Sequence, residues 1–130
     1  MIDGMDTESH LISVDNDPKL IDIVTAYFGG NKQVDLVCEE GSQWLKNNPQ
    51  LRFDLIFADA WPGKYSDLDE TLNRLNPGGF YVIDDMKPQP NWPEGHDLKA
   101  IQLVKDLESY SDLVLTKMNW STGVIIASKI

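Results

Sequence analysis

Four short apolar runs alternate along the chain with segments whose apolar residues recur every three or four positions. The runs are LISVD (11–15), VDLVC (34–38), DLIFADA (54–60) and FYVIDD (80–85). Parallel strands that are covered on both faces are nearly continuous in apolar residues. The pattern therefore predicts four strands of a buried, mostly parallel sheet.

The segments between the runs predict helices. Asp17 is a typical N-cap residue, Pro18 suits a first helical turn, and the apolar face that follows ends at Gly29-Gly30. A second helix is expected to open at Ser42, and a third to open at Ser66 and end at the NPGG stretch 76–79. The spacing of Ala100, Leu103, Val104 and Leu107 predicts the last helix.

The last twenty residues, SDLVLTKMNWSTGVIIASKI, contain two β-rich runs around a short Ser-Thr-Gly turn. No crossover helix fits between the runs, so they must pair antiparallel. The whole order predicts a three-layer α/β fold, a single domain over residues 1–130, that binds ligands at the carboxyl ends of its strands.

Composition narrows the possible partners and locations. The chain has 21 acidic and 11 basic residues and a net charge of -10, which disfavours nucleic acid and anionic membrane surfaces. It has no apolar stretch of membrane-spanning length and no signal-peptide pattern, which predicts a cytoplasmic protein. Its one cysteine, Cys38, lies in an apolar run and is expected to be a buried free thiol.

Acidic residues follow the predicted strand ends, at Asp15, Asp59, Asp84 and Asp85. Asp15 has two equally weighted interpretations, a carboxylate that binds a ribose diol and a turn residue beside the Asp17 cap. The other three come from two strands expected to be neighbours, and two carboxylates about 4 Å apart repel by roughly 4 kcal/mol at an effective dielectric of 20. Mg²⁺ or Ca²⁺ bound by these oxygens would relieve that repulsion, and solvated turn aspartates are the alternative.

Other polar and aromatic residues give weaker signals. Trp61, two residues after Asp59, could cover a base or a substrate or simply pack in its loop, and Lys64 is a weaker candidate. His10 and His96 have no partner at ligand or triad spacing and are interpreted as structural. No glycine fingerprint precedes Asp15, which disfavours a dinucleotide-binding domain.

Five segments together resemble the bacterial O-methyltransferases related to catechol and caffeoyl-CoA O-methyltransferases: ISVDNDPKL, CEEGSQWL, FDLIFADAWPGKY, LNPGGFYVIDDM and NWSTGVIIAS. The resemblance covers nearly the whole chain after residue 10. It implies a Rossmann-like class I methyltransferase that transfers a methyl group from S-adenosylmethionine to a small-molecule hydroxyl, often with a divalent metal.

The resemblance also implies roles for particular residues. Asp15 and Asn16 would bind the cofactor ribose, and Gly41, Ser42 and Gln43 would lie beside the adenine. Asp59 and Trp61 would lie near the reactive end of the cofactor, and Asp59, Asp84 and Asp85 would bind the metal. The family's general-base lysine falls on Pro62, so the resemblance leaves the general base unassigned, with Lys64 as a substitute beside Asp59 in catalysis.

Members of the family carry a first strand and a glycine-rich loop before the segment ISVDND, where this chain has only MIDGMDTESH. Two or three lost hydrogen bonds would weaken cofactor binding about thirty- to several-hundred-fold. The two strand edges left open would pair directly, LISVD with DLIFADA, or would be filled by a partner chain. A non-catalytic remnant or oligomerisation module, forming a homo-oligomer, is therefore the alternative to an enzyme.

Overall fold

The computed structural model describes residues 1–130, which form two compact units, Met1–Asn48 and Pro49–Ile130. Helices and strands alternate along both units, and parallel strand pairs occur in each. The α/β class predicted from the sequence is confirmed.

The first unit contains one parallel strand pair and two helices. Strand β1 (Leu11–Asp15) pairs with β2 (Val34–Cys38), with Leu11 opposite Val34 and Asp15 opposite Cys38. Helix α1 (Pro18–Phe28) connects the strands, and α2 (Gly41–Asn47) follows β2. The carboxylate of Asp17 accepts a hydrogen bond of 2.9 Å from the Lys19 amide, so the predicted cap of α1 is confirmed.

The second unit contains a four-stranded sheet with the strand order β3-β4-β6-β5. Its elements are β3 (Phe53–Ala58), α3 (Leu68–Asn73), β4 (Leu75–Ile83), α4 (His96–Ser109), β5 (Leu113–Met118) and β6 (Val124–Lys129). Strands β3 and β4 run parallel, whereas β6 is antiparallel to both β4 and β5. The predicted C-terminal hairpin is confirmed.

The core of the second unit lies between one face of this sheet and the helices. Tyr81 and Ile83 of β4 and Leu107 of α4 are fully buried there. Ala100 and Leu103 are also buried, which confirms the helical spacing predicted for α4.

The opposite face of the sheet is not covered as the sequence predicted. Leu55, Phe57 and Phe80 are 48%, 44% and 47% exposed. The strand register places them on one face, here called the open face: Leu55, Phe57, Phe80, Val82, Val114, Thr116, Ile126 and Ser128. The continuous apolar runs predicted the strands correctly, but the expectation that both faces of the sheet are buried was wrong for the open face.

Each unit contains a strand with an open edge. In the first unit, β1 pairs with β2, and in the second unit, β3 pairs with β4. The other edge of β1 and the other edge of β3 pair with no strand of their own unit.

Some local predictions were wrong. The helix α3 begins at Leu68 and not at Ser66, since Asp67 has a non-helical φ of 54°. It ends at Asn73, and NPGG lies inside β4, where a side chain on Gly79 would approach the Asp54 carbonyl to 3.0 Å. Gly79 thus permits close contact between the strands instead of stopping a helix. Cys38 is exposed because β2 ends there, so it is not the expected buried thiol.

Candidate functional site

Three acidic residues lie at the carboxyl end of the parallel pair in the second unit. Ala58 is opposite Ile83 in the register, so Asp59 and Asp84 are the next residues beyond the two strand ends, and Asp85 follows. Asp59 is exposed, whereas Asp84 and Asp85 are half-buried. This acidic rim, defined as Asp59, Asp84 and Asp85, occupies the edge of the sheet where the sequence placed it.

A buried lysine reaches the acidic rim. Lys64 is 4% exposed, and its ammonium donates a hydrogen bond of 2.5 Å to the backbone carbonyl of Asp84. Burial lowers the pKa of Lys64, and the negative charges of Asp85, Asp59 and Asp84 act in the opposite direction. None of the three carboxylates forms a direct ion pair with it.

The loop Trp61–Ser66 holds Lys64 in this position. The Trp61 carbonyl accepts hydrogen bonds from the amides of Lys64, Tyr65 and Ser66, at 3.1, 2.8 and 2.9 Å. The buried hydroxyl of Tyr81 donates to the Gly63 carbonyl at 2.6 Å and thereby joins the loop to β4. Gly63 has a φ of +85°, a conformation that glycine adopts without strain.

Asp84 is fixed by its own hydrogen bonds. Its Oδ1 accepts from the Thr122 hydroxyl at 2.6 Å and from the Asp85 amide at 2.7 Å. The Thr122 bond, with the Asp85 amide next, lowers the pKa of the Asp84 carboxyl. Asp85 has a φ of 53°, and non-glycine residues adopt this left-handed conformation at a cost of order 1 kcal/mol.

Four rings pack together beside this rim. The imidazole of His96 lies 4.4 Å from the Trp92 ring, 5.0 Å from Tyr65 and 6.0 Å from Trp61, between centroids. The ammonium of Lys99 lies 4.4 Å from the Trp61 ring centroid, a cation–π contact. His96 Nδ1 and the Tyr65 hydroxyl are buried without a hydrogen-bond partner. Burial, with the Asp85 charge second, raises the pKa of Tyr65.

The residues of the rim do not support a metal site. The chain contains no group of three or more histidine, cysteine, aspartate or glutamate side chains that could hold a metal ion. One oxygen of Asp84 is already bonded to two donors, and a lysine ammonium lies beside the same residue. Mg²⁺ and Ca²⁺ need several converging oxygen ligands, so the three-carboxylate site does not fit them.

The predicted cofactor residues of the first unit lie at the carboxyl ends of β1 and β2. Asp15 is half-buried, and its Oδ1 accepts from the Asp17 amide at 2.7 Å, as a turn residue does. Asn16 is exposed in the following bend. Gly41, Ser42 and Gln43 form the first turn of α2, where Glu40 caps the Gln43 amide at 2.9 Å, so the helix opens one residue before the predicted Ser42.

Sequence reasoning missed Thr122 and the burial of Lys64. Thr122 lies in the hairpin turn, and only the antiparallel pairing of β4 with β6 brings that turn to Asp84. A polar residue two positions before the β6 run was the available signal. Lysine is rarely buried, so nothing in the local sequence indicated that Lys64 would point inward.

No family model matches the sequence, and no curated protein matches it. Solved structures do. An O-methyltransferase from Bacillus cereus in complex with SAH (S-adenosylhomocysteine) matches 98% of this chain and 66% of its own, with a TM-score of 0.83 and 14% identity. A SAH-bound methyltransferase from Podospora anserina matches 96% of this chain and 62% of its own, with a TM-score of 0.78 and 18% identity.

A third structure matches in the same way: an O-methyltransferase from Streptomyces achromogenes involved in tomaymycin synthesis, in complex with SAM (S-adenosylmethionine). It matches 96% of this chain and 64% of its own, with a TM-score of 0.78 and 18% identity. The chain thus spans less than two thirds of the length of these structures. No helix in it has the length and apolar character needed to cross a bilayer. Over nearly all its residues, the chain has the fold of these S-adenosylmethionine-dependent O-methyltransferase structures, which confirms the fold that the resemblance implied.

Proposed function

We propose that this chain is an S-adenosylmethionine-dependent O-methyltransferase that acts on the hydroxyl group of a small molecule. The observation that carries the proposal is the match to methyltransferases solved with SAH or SAM over 96% to 98% of the chain. The acidic rim supports it, since ligands of α/β sheets bind at the carboxyl ends of strands.

In the first unit, the proposed cofactor residues are Asp15 with Asn16, and Gly41, Ser42 and Gln43. Asp15 fits a ribose because only its Oδ1 is used by the turn, and its Oδ2 accepts no hydrogen bond from the chain. A carboxylate oxygen that faces a ribose diol accepts charge-assisted hydrogen bonds. The turn and the ribose interpretations of Asp15 are therefore compatible with each other.

In the second unit, Asp59 and Lys64 are the proposed catalytic residues, and Trp61 is proposed to cover the reactive end of the cofactor. When bound, S-adenosylmethionine supplies a methyl group on a positively charged sulfur; the acceptor oxygen forms the new C–O bond while the C–S electron pair stays on sulfur. The exposed carboxylate of Asp59 takes the proton of the acceptor hydroxyl and passes it to water. Trp61, which is 50% exposed, offers a flat apolar surface.

Calorimetric titration of the full chain with S-adenosylhomocysteine tests the proposal. We expect binding tighter than millimolar, and Asp15→Ala should weaken it roughly ten- to a hundredfold for each charge-assisted bond lost. Asp22→Ala is the matched control because Asp22 is an exposed aspartate of α1 with no proposed role. Absence of binding at millimolar cofactor, in chain shown to be folded, would contradict the proposal.

A second candidate, an assembly module, is favoured by the open face. None of its eight side chains is charged, although the chain carries a net charge of -10. A large neutral apolar patch on the surface of a charged protein is typical of an interaction site. We propose a second copy as the occupant, since the unpaired edge of β3 borders the same face and two such edges can pair about a twofold axis.

Sedimentation across micromolar concentrations tests this candidate. We expect a dimer that strengthens with salt, because salt screens the repulsion between two copies of charge -10. Phe57→Lys should give a monomer, whereas Leu98→Lys, on an exposed position of α4, should leave the dimer intact. A wild-type chain that stays monomeric at high salt would refute the assembly.

A further inference from the structure

The acidic rim has a cation built into the chain. Lys64 is 4% exposed, and the only hydrogen bond of its ammonium is the 2.5 Å contact with the backbone carbonyl of Asp84, a residue of the rim. A lysine ammonium has three donors, so this bond leaves two of them for other partners. The ammonium thus lies near three carboxylates but forms an ion pair with none of them.

Three further hydrogen bonds hold the residues that position the ammonium. The Trp61 carbonyl holds the Lys64 amide, the Tyr81 hydroxyl holds the neighbouring Gly63, and Thr122 holds the carboxylate of Asp84. A cation that the fold holds in place needs no reorganisation when negative charge develops nearby. A metal ion would stabilise developing negative charge in the same way.

The carboxylates are poorly arranged for a metal ion. They form no group of three ligands, and Asp84 Oδ1 already accepts from Thr122 and from the Asp85 amide. A divalent ion placed at the rim would also meet the like charge of Lys64. Both the ligand arrangement and the charge therefore disfavour a metal at this edge.

We propose that the Lys64 ammonium is the resident cation of the acidic rim and that the rim works without a divalent metal. This inference rests on the proposed function. Lys64 stabilises the acceptor oxygen while the proton of the acceptor hydroxyl passes to Asp59 and the methyl group is transferred to that oxygen. The acceptor therefore needs only one hydroxyl oxygen at this position, since one ammonium can bind a single oxygen. It does not need a second oxygen that would chelate a metal ion.

The test uses the paramagnetic resonance signal of free Mn²⁺, which falls when the ion is bound, with the full chain at near-physiological salt. We expect wild-type protein to leave the signal unchanged. Lys64→Met keeps the buried aliphatic stem and removes one positive charge that repels Mn²⁺, so the weak affinity of the carboxylates for Mn²⁺ should rise roughly tenfold or more. Lys46→Met makes the same charge change at an exposed position of α2 and should bind no Mn²⁺.

Two results would overturn the proposal: one-site Mn²⁺ binding by the wild-type chain, and a folded Lys64→Met variant that gains no affinity for Mn²⁺. If that variant does not fold by circular dichroism, the wild-type titration decides alone. Binding of S-adenosylhomocysteine that is lost on adding EDTA would also refute metal independence while leaving the methyltransferase proposal standing. Absence of cofactor binding with or without EDTA would instead count against the proposed function.

Discussion

The ammonium of Lys64 and the backbone carbonyl of Asp84 are 2.5 Å apart and joined by a hydrogen bond. This bond connects the loop after β3 to the end of β4, twenty residues further along the chain. A main-chain acceptor fixes the ammonium without neutralising a carboxylate, so the charges of the acidic rim remain available to a ligand.

The bond between Thr122 and Asp84 should contribute to stability in a pH-dependent way. Replacing Thr122 by Val removes the 2.6 Å bond to the carboxylate, and we expect a loss of about 1 kcal/mol at neutral pH, limited by the solvent around half-buried Asp84. Because folding lowers the pKa of Asp84 below its ordinary 3.8, this contribution is present above that value and is lost as the pH falls through the folded pKa.

Urea unfolding of wild type and Thr122→Val between pH 7 and pH 2 measures this difference. Thr122→Ser keeps the hydroxyl and should retain most of the stability. A difference between wild type and the valine variant that is as large at pH 2 as at pH 7 would show that the methyl group, and not the hydrogen bond, is responsible.

The turn before β6 should require glycine at position 123. Gly123 has a φ of +88°, and a Cβ there would lie 2.8 Å from the Lys87 side chain and 2.9 Å from its backbone nitrogen. Gly123→Ala should therefore destabilise the chain by roughly 1 to 3 kcal/mol. Gly30→Ala is the control, since nothing lies within 4 Å of its Cβ and its φ is not positive. Equal midpoints of thermal unfolding for the two variants would contradict this account of the turn.

Much of the fold could be predicted because its signals are local. The spacing of Ala100, Leu103 and Leu107 specified the buried face of α4, and the short turn of the last twenty residues left only antiparallel pairing for β5 and β6. Asp59 and Asp84 were placed on one edge correctly, because neighbouring parallel strands end on the same side of a sheet.

The remaining features depend on contacts between distant residues. NPGG has the composition of a helix stop, and only the approach of Gly79 to the Asp54 carbonyl reveals a strand. Lys64 is held in its buried position because the Tyr81 hydroxyl donates to the Gly63 carbonyl and the Asp84 carbonyl accepts from the Lys64 ammonium. Neither Tyr81 nor Asp84 is near Lys64 in the sequence. The open face could not be foreseen, since apolar residues on a strand do not specify what covers them.

Packing in the second unit should depend on one face of α4. Leu107 is fully buried against the sheet, whereas Leu98 of the same helix is 66% exposed. Leu107→Ala should cost about 2 to 5 kcal/mol through lost burial and a residual cavity, and Leu98→Ala should stay within about 0.5 kcal/mol of wild type. Urea unfolding of the two variants measures both effects, and a Leu98 effect equal to that of Leu107 would mean that α4 packs on its other face.

Tyr110 should ionise unusually late. Its hydroxyl donates to the carboxylate of Asp69, and burial, followed by this bond and the nearby negative charges, raises the pKa of Tyr110 to about 12. Tyrosine ordinarily ionises near pH 10, so the folded protein holds this proton more tightly than the unfolded chain does. The resulting stability is fully present below pH 10 and is lost as the pH rises from there through about 12.

The ultraviolet absorbance of tyrosinate, taken as wild type minus Tyr110→Phe, gives the titration curve of this residue alone, with circular dichroism confirming the fold at each pH. We expect a midpoint near 12 for the wild-type chain. Asp69→Asn removes the negative charge beside the hydroxyl and should move the midpoint toward 10, whereas Asp22→Asn, in the first unit, should not move it. A midpoint of 10 in the folded wild type would show that the Asp69 bond does not hold the Tyr110 proton in solution.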